Sequence, residues 1–129
     1  MHIFQWLWFI PQLKKAVSFW TRQPCFQDFS VINIVDQLDT PRKHYRLIEQ
    51  LESSASSIAL NISEGKGRFS KKEFKQFLYI ARGSLYETIA MLQILKKKQW
   101  LNQTDYNNLY SQAEEINKML SGLINSIKL

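Results

Sequence analysis

The chain has 129 residues, of which 45% are hydrophobic, and 17 Lys and Arg against 11 Asp and Glu leave a net charge of +6. That length and apolar content fit one folded domain with a genuine core and exclude a chain kept unfolded by its charge. Four Gly and three Pro are too few for the many turns of an all-β fold, and a lone cysteine, Cys25, excludes an internal disulfide framework and fits a reducing compartment.

No stretch approaches the roughly 18 consecutive apolar residues that a membrane span needs. The apolar start carries Lys14 and Lys15 after its apolar run, the reverse of a signal peptide, so a soluble, cytoplasmic protein is expected. Trp6, Trp8, Phe9 and Ile10 are too apolar to leave in water, and Pro11 could open a short helix with Leu13, Val17 and Trp20 on one side. Pro24 interrupts it. Residues 1–24 therefore read as an aromatic N-terminal segment added to a helical domain over residues 25–129.

Within that domain, Cys25 to Leu38 carries two alternative faces at helical spacing, Phe29/Ile32/Val35 or Val31/Ile34/Leu38, although its β-branched residues also suit a strand. Thr40-Pro41 has the form of a helix start, with Thr as N-cap and Pro at the first helical position. The pattern runs to about Ser63, with Tyr45, Ile48, Leu51, Ala55, Ile58 and Ile62 on one face and small residues from Ser53 to Ser57 that admit a close neighbour. Gly65 and Gly67 are expected to end it through the left-handed conformation.

Ser70 and Glu73 match the S-x-x-E capping box, and Phe69 and Phe74 have the spacing of a hydrophobic staple. The helix they open carries Phe74, Phe77, Ala81, Leu85, Thr88, Leu92 and Leu95 on one stripe. Lys96, Lys97 and Lys98 complement the negative pole at its end. Trp100-Leu101 begins a connection, Thr104 is a plausible N-cap, and a last helix to about Ile127 has a core face of Leu109, Ala113, Ile116, Leu120, Leu123 and Ile127. Glu114 and Lys118 stand at the favourable i, i+4 spacing. His44 reads as a surface residue. Helices joined by short loops describe an all-α, up-and-down bundle.

The charge is concentrated. Between Asn61 and Lys98 lie nine basic residues (Lys66, Arg68, Lys71, Lys72, Lys75, Arg82, Lys96, Lys97, Lys98) and three acidic ones (Glu64, Glu73, Glu87), so the rest of the chain is neutral with eight of each sign. At about 100° per residue, Lys71, Lys75, Arg82 and Tyr86 share one side of the third bundle helix with Lys72 and Tyr79 beside them. Cations interleaved with tyrosines can neutralise phosphates and stack on unpaired bases. The candidate nucleic-acid-binding set is therefore those nine cations with Tyr79 and Tyr86, set against the alternative of a solvated helix face. Opposite the core stripe, Gly83, Ala90 and Ile94 are small or apolar where charge is usual. They suggest a second buried contact, with another subunit or with the aromatic N-terminal segment.

Catalytic patterns are missing. Gly65-Lys66-Gly67 lacks the spacing of a phosphate-binding loop, and His2, His44 and Cys25 share no metal-ligand motif. Glu49/Glu52 and Glu114/Glu115 look like ordinary polar-face pairs. Neither an enzyme nor a cofactor is expected.

Three runs carry a resemblance. Ser57-Ile58-Ala59-Leu60-Asn61-Ile62-Ser63-Glu64-Gly65, Gly67-Arg68-Phe69-Ser70-Lys71-Lys72-Glu73-Phe74 and Phe77-Leu78-Tyr79-Ile80-Ala81-Arg82-Gly83-Ser84-Leu85-Tyr86-Glu87 resemble the signature of four-helix-bundle proteins encoded in 23S rRNA intervening sequences. The match covers about Tyr45 to Leu101. Ser63 stands where that family usually has Ala, and Phe26-Gln27-Asp28-Phe29, which resembles the family's opening, lies too close to Tyr45. The resemblance implies a left-handed four-helix bundle that assembles as a ring, typically a pentamer. Such proteins are similar to the accessory variability protein of diversity-generating retroelements, a basic pentamer that binds a reverse transcriptase and nucleic acid. The expected function is thus a non-enzymatic, oligomeric nucleic-acid-binding accessory protein. Its alternative is a scaffold that docks a reverse transcriptase or another acidic partner.

Overall fold

The computed structural model describes Val31, Ile34, Leu38 and residues 44–129. Among these residues the chain is helical without strands, as α1 (Tyr45–Lys66), α2 (Lys71–Lys97) and α3 (Gln103–Ser126). α2 packs against both of the others. The aromatic segment 1–24, the Thr40-Pro41 helix start and most of Cys25 to Leu38 lie outside the described residues. Of that last stretch, Val31 and Ile34 are helical. Val31 is fully buried, with Ile34 and Leu38 packed against the same apolar cluster as Leu51, Leu92 and Leu109. Of the two faces open to this stretch, Val31/Ile34/Leu38 meets the core, and Phe29, Ile32 and Val35 lie outside the described residues.

The 3.6-residue pattern reports most of the buried side of α3, since all six expected positions are buried, Ile127 just past the helix end among them, and it misses only buried Ile124. In α1, Leu51, Ala55 and Ile58 are buried and Ile48 and Ile62 half-buried, but Tyr45 is exposed. In α2 the expected stripe is too narrow. Phe77 is only half-buried, while Leu78 and Met91 are inside. The reason is that α2 has a neighbour on each flank, so its buried arc is wider than one stripe.

Between α1 and α2 runs a seam of small polar side chains. Thr88 Oγ1 lies 2.9 Å from Ser54 Oγ, Ser57 Oγ 2.9 Å from Ser84 Oγ, and Asn61 Nδ2 donates to the Ser57 carbonyl at 2.8 Å. Ser54 Oγ also donates to the Leu51 carbonyl at 3.0 Å, so buried Ser54 and Thr88 are both satisfied. Small side chains let the helices approach closely, and the hydroxyls bond across the gap.

The helix ends correct several expectations. α1 continues past Ser63 to Lys66, and Gly67 closes it at φ −77, a right-handed value, with its N–H on the carbonyls of Ser63 and Glu64 at 3.2 and 3.1 Å. Neither glycine supplies a left-handed turn. Gly65 is needed for space instead, because a Cβ built there would lie 2.6 Å from Phe77 Cβ and 3.0 Å from Phe74 Cδ2. The left-handed position falls at the end of α2, where Gln99 has φ 62. There Trp100 N–H reaches the Leu95 carbonyl at 3.0 Å and Gln99 N–H the Lys96 carbonyl at 2.9 Å, the bond pattern of a Schellman motif.

At the start of α2, Ser70 Oγ accepts from Glu73 N–H at 3.1 Å as the capping box requires, but Glu73 Oε2 accepts from the Ser70 hydroxyl at 2.9 Å in place of the backbone. No staple forms, since Phe74 is buried and Phe69 is 85% exposed. Asn102, not Thr104, caps α3, its side-chain oxygen accepting from Asp105 N–H at 2.8 Å. His44 is half-buried with its ring 4.4 Å from that of Trp100. Among the described residues the ion pair present is Arg68–Glu64, so Glu114 and Lys118 do not meet.

Candidate nucleic-acid interface

The eleven residues that charge and aromatic spacing single out fall in three groups along α2 and the turns at its two ends. Lys71 and Lys97 lie roughly 40 Å apart at 1.5 Å of rise per residue, so a single compact pocket is out of reach. Lys66, Arg68, Lys71, Lys72 and Lys75 surround the α1–α2 turn. Tyr79, Arg82 and Tyr86 occupy the middle, and Lys96, Lys97 and Lys98 the far end.

Several of these side chains are already engaged. Arg68 is ion-paired to Glu64 and sits 5.1 Å from the centroid of the Phe77 ring, tying the turn to α2. Lys75, half-buried, donates to the Ile127 carbonyl at 3.4 Å and so helps to close the end of α3. Lys96 lies 4.3 Å from the Tyr106 ring and Lys98 5.1 Å from that of Trp100, both fixing the α2–α3 end. Arg82 lies 5.1 Å from the ring of Tyr79, its neighbour one turn back. These contacts hold the cations in place without neutralising them, except at Arg68.

Lys66, Lys71, Lys72 and Lys97 make no ion pair, hydrogen bond or ring contact among the described residues. Lys72, Tyr79 and Tyr86 recur every seven residues, about 10 Å apart, on one side of α2. Both tyrosines are about half exposed, at 47% and 53%. The arrangement is an outward row of cations and aromatic faces that starts at the turn. The residue that charge and spacing missed is Phe69, assigned to a staple but held in the open among Lys66, Arg68, Lys71 and Lys72. Its position at the centre of the basic run was the available signal.

Beside this row, Gly83, Ala90 and Ile94 all face outward, and nothing lies within 4 Å of a Cβ built on Gly83. Ile80, 47% exposed, joins them, and exposed Glu87, which accepts from Gln50 Nε2 at 3.2 Å, stands between Gly83 and Ala90 on the same side. The aromatic N-terminal segment, the other candidate cover for this strip, lies outside the described residues. No group of three or more His, Cys, Asp or Glu among the described residues could hold a metal ion, and no described helix is long and apolar enough to cross a membrane.

No curated protein matches the chain. Among solved structures it is similar to a protein of unknown function from the S23 ribosomal protein family of Bacteroides thetaiotaomicron VPI-5482. That likeness has a TM-score of 0.69 at 26% identity and covers 88% of this chain and 94% of the other. The signature residues Ser57, Asn61, Gly65, Arg68 and Ser70 are the ones that build the α1–α2 seam and turn. A family model described as 23S rRNA-intervening sequence protein matches residues 28–122, and the chain belongs to that family.

Proposed function

We propose that this protein is a non-enzymatic, self-associating nucleic-acid-binding accessory protein that holds a phosphate backbone along the turn and outer face of α2. The observation that carries the reading is the uncompensated charge. The whole net charge of +6 falls within residues 61–98, and there Lys66, Lys71, Lys72 and Lys97 have no acidic partner among the described residues. A lysine seated on a phosphate releases condensed counterions, which is the main source of such affinity. Tyr79 and Tyr86 add faces on which bases can stack. Because the family is named for a 23S rRNA intervening sequence, RNA is the first ligand to test.

The working unit is a four-helix bundle, with the segment bearing Val31 and Ile34 as its first helix, assembled as a ring through Ile80, Gly83, Ala90 and Ile94. Exposed Ile80 and Ile94 with the small residues Gly83 and Ala90 between them, on a face interrupted by Glu87, support this. Gly83→Glu is expected to shift the mass seen by light scattering down to that of one protomer. A wild type that is protomer-sized at every concentration overturns the assembly.

Binding is tested by titrating salt against a single-stranded RNA. Replacing Lys66, Lys71 and Lys72 together by glutamine is expected to weaken binding about tenfold and to lower the log–log salt slope by about two units. Unchanged affinity, or binding indifferent to salt, sinks the reading. Capture of a protein that survives nuclease treatment and needs the same lysines would replace it with a scaffold that docks a reverse transcriptase or another acidic partner.

A further inference from the structure

We propose that Phe69 is a base-stacking residue, presenting its ring from the α1–α2 turn to an unpaired base of a single-stranded nucleic acid whose flanking phosphates meet Lys66, Lys71 and Lys72. The inference rests on the nucleic-acid reading above and names the form of ligand that the turn selects.

Phe69 is the most exposed large hydrophobic side chain among the described residues, at 85%. The backbone on both sides of it is pinned. Gly67 and Arg68 N–H groups bond back to the carbonyls of Glu64 and Gly65, each at 3.1 Å. The Arg68 guanidinium is held between Glu64 and the Phe77 ring. On the other side Ser70 caps α2 through Glu73 N–H. A turn fixed at both edges holds the ring in water before any ligand arrives, so little ordering entropy remains to oppose binding.

The surroundings select the partner. Within three residues of Phe69 every side chain is charged, polar or absent: Lys66, Gly67, Arg68, Ser70, Lys71 and Lys72. An apolar protein groove would gain from one ring and lose from desolvating the cations around it. A nucleotide satisfies both demands, since its base offers a flat face and its phosphates offer anions. In a duplex the bases are stacked on one another, so the free face belongs to a single strand.

The test compares a labelled single-stranded oligouridylate with a duplex RNA of the same length, by fluorescence anisotropy. Phe69→Ala is expected to weaken single-strand binding roughly five- to a hundredfold, with duplex binding and the salt slope unchanged. Phe69→Trp is expected to restore the affinity and to show quenching of the added indole emission on the single strand, measured against the wild-type background. The thermal unfolding curve of Phe69→Ala should match the wild type, which keeps a loss of binding interpretable. If Phe69→Ala binds the single strand as well as wild type does while the triple lysine variant is weakened, the stacking role is wrong and the basic face survives. Equal losses on single strand and duplex overturn the single-strand selection, and a change in light-scattering mass makes Phe69 a protein contact instead. Wild-type protein that binds neither probe removes the stacking role together with the reading beneath it.

Discussion

Gly65→Ala is expected to destabilise the protein by about 2 kcal/mol, although alanine is the better helix former by about 1 kcal/mol. The opposition between those two effects makes the measurement decisive. Gly65 lies inside α1, so helix propensity alone favours the substitution. The added methyl, however, would sit 2.6 Å from Phe77 Cβ, an atom fixed to the α2 backbone that no rotamer change can move aside. Relief requires the helices to separate, and separation stretches the hydroxyl contact of Ser57 with Ser84 across the seam. Urea unfolding measures the outcome. A Gly65→Ala protein more stable than wild type would show that the helices have slack there and that the close approach is not a packing constraint.

Leu78→Ala is expected to cost about 3 kcal/mol, within the range of roughly 2–5 found for buried leucines. Phe77→Ala should cost less. A helical stripe drawn from sequence predicts the reverse, because it places Phe77 in the core and leaves Leu78 to one side. In the fold Leu78 is fully buried in the cluster that joins Ile58, Leu85 and Ile116, so its removal leaves a cavity walled by all three helices. Phe77 is half exposed under Arg68, and its loss opens toward water, where no cavity forms. Urea unfolding of both variants at an unchanged m-value decides the order. A larger loss for Phe77→Ala would return α2 to the narrower stripe.

The family signature looks different once its residues are placed. Ser57 and Ser84 bond across the seam, Asn61 holds Ser57, Gly65 gives clearance, and Arg68 with Glu64 braces the turn. All of these are internal work. The side chains that face outward for a ligand, Lys66, Phe69, Lys71, Lys72, Tyr86 and Tyr79 with Arg82 beside its ring, fall mostly at the positions between them. A signature of this kind identifies the fold, and the binding chemistry must be read from what remains.

The sequence by itself determined the three helices, the buried face of α3, the capping serine of α2 and the location of the charge. Each is a local property. A 3.6-residue period, a hydroxyl three residues before a free N–H and a count of lysines all need only the chain around them. Only the tertiary structure decided that Gly65 provides clearance and not a left-handed turn, because that depends on Phe77 across the gap. It alone decided that Leu78 outranks Phe77, since the width of a buried arc is set by the number of neighbouring helices. It also separated the cations. Lys75 is spent on the Ile127 carbonyl, 52 residues away, and Lys96 on Tyr106, while Lys71 and Lys72 stay free. A flexible cation's role follows from what lies within reach of its long stem, and no periodicity in its own helix records that.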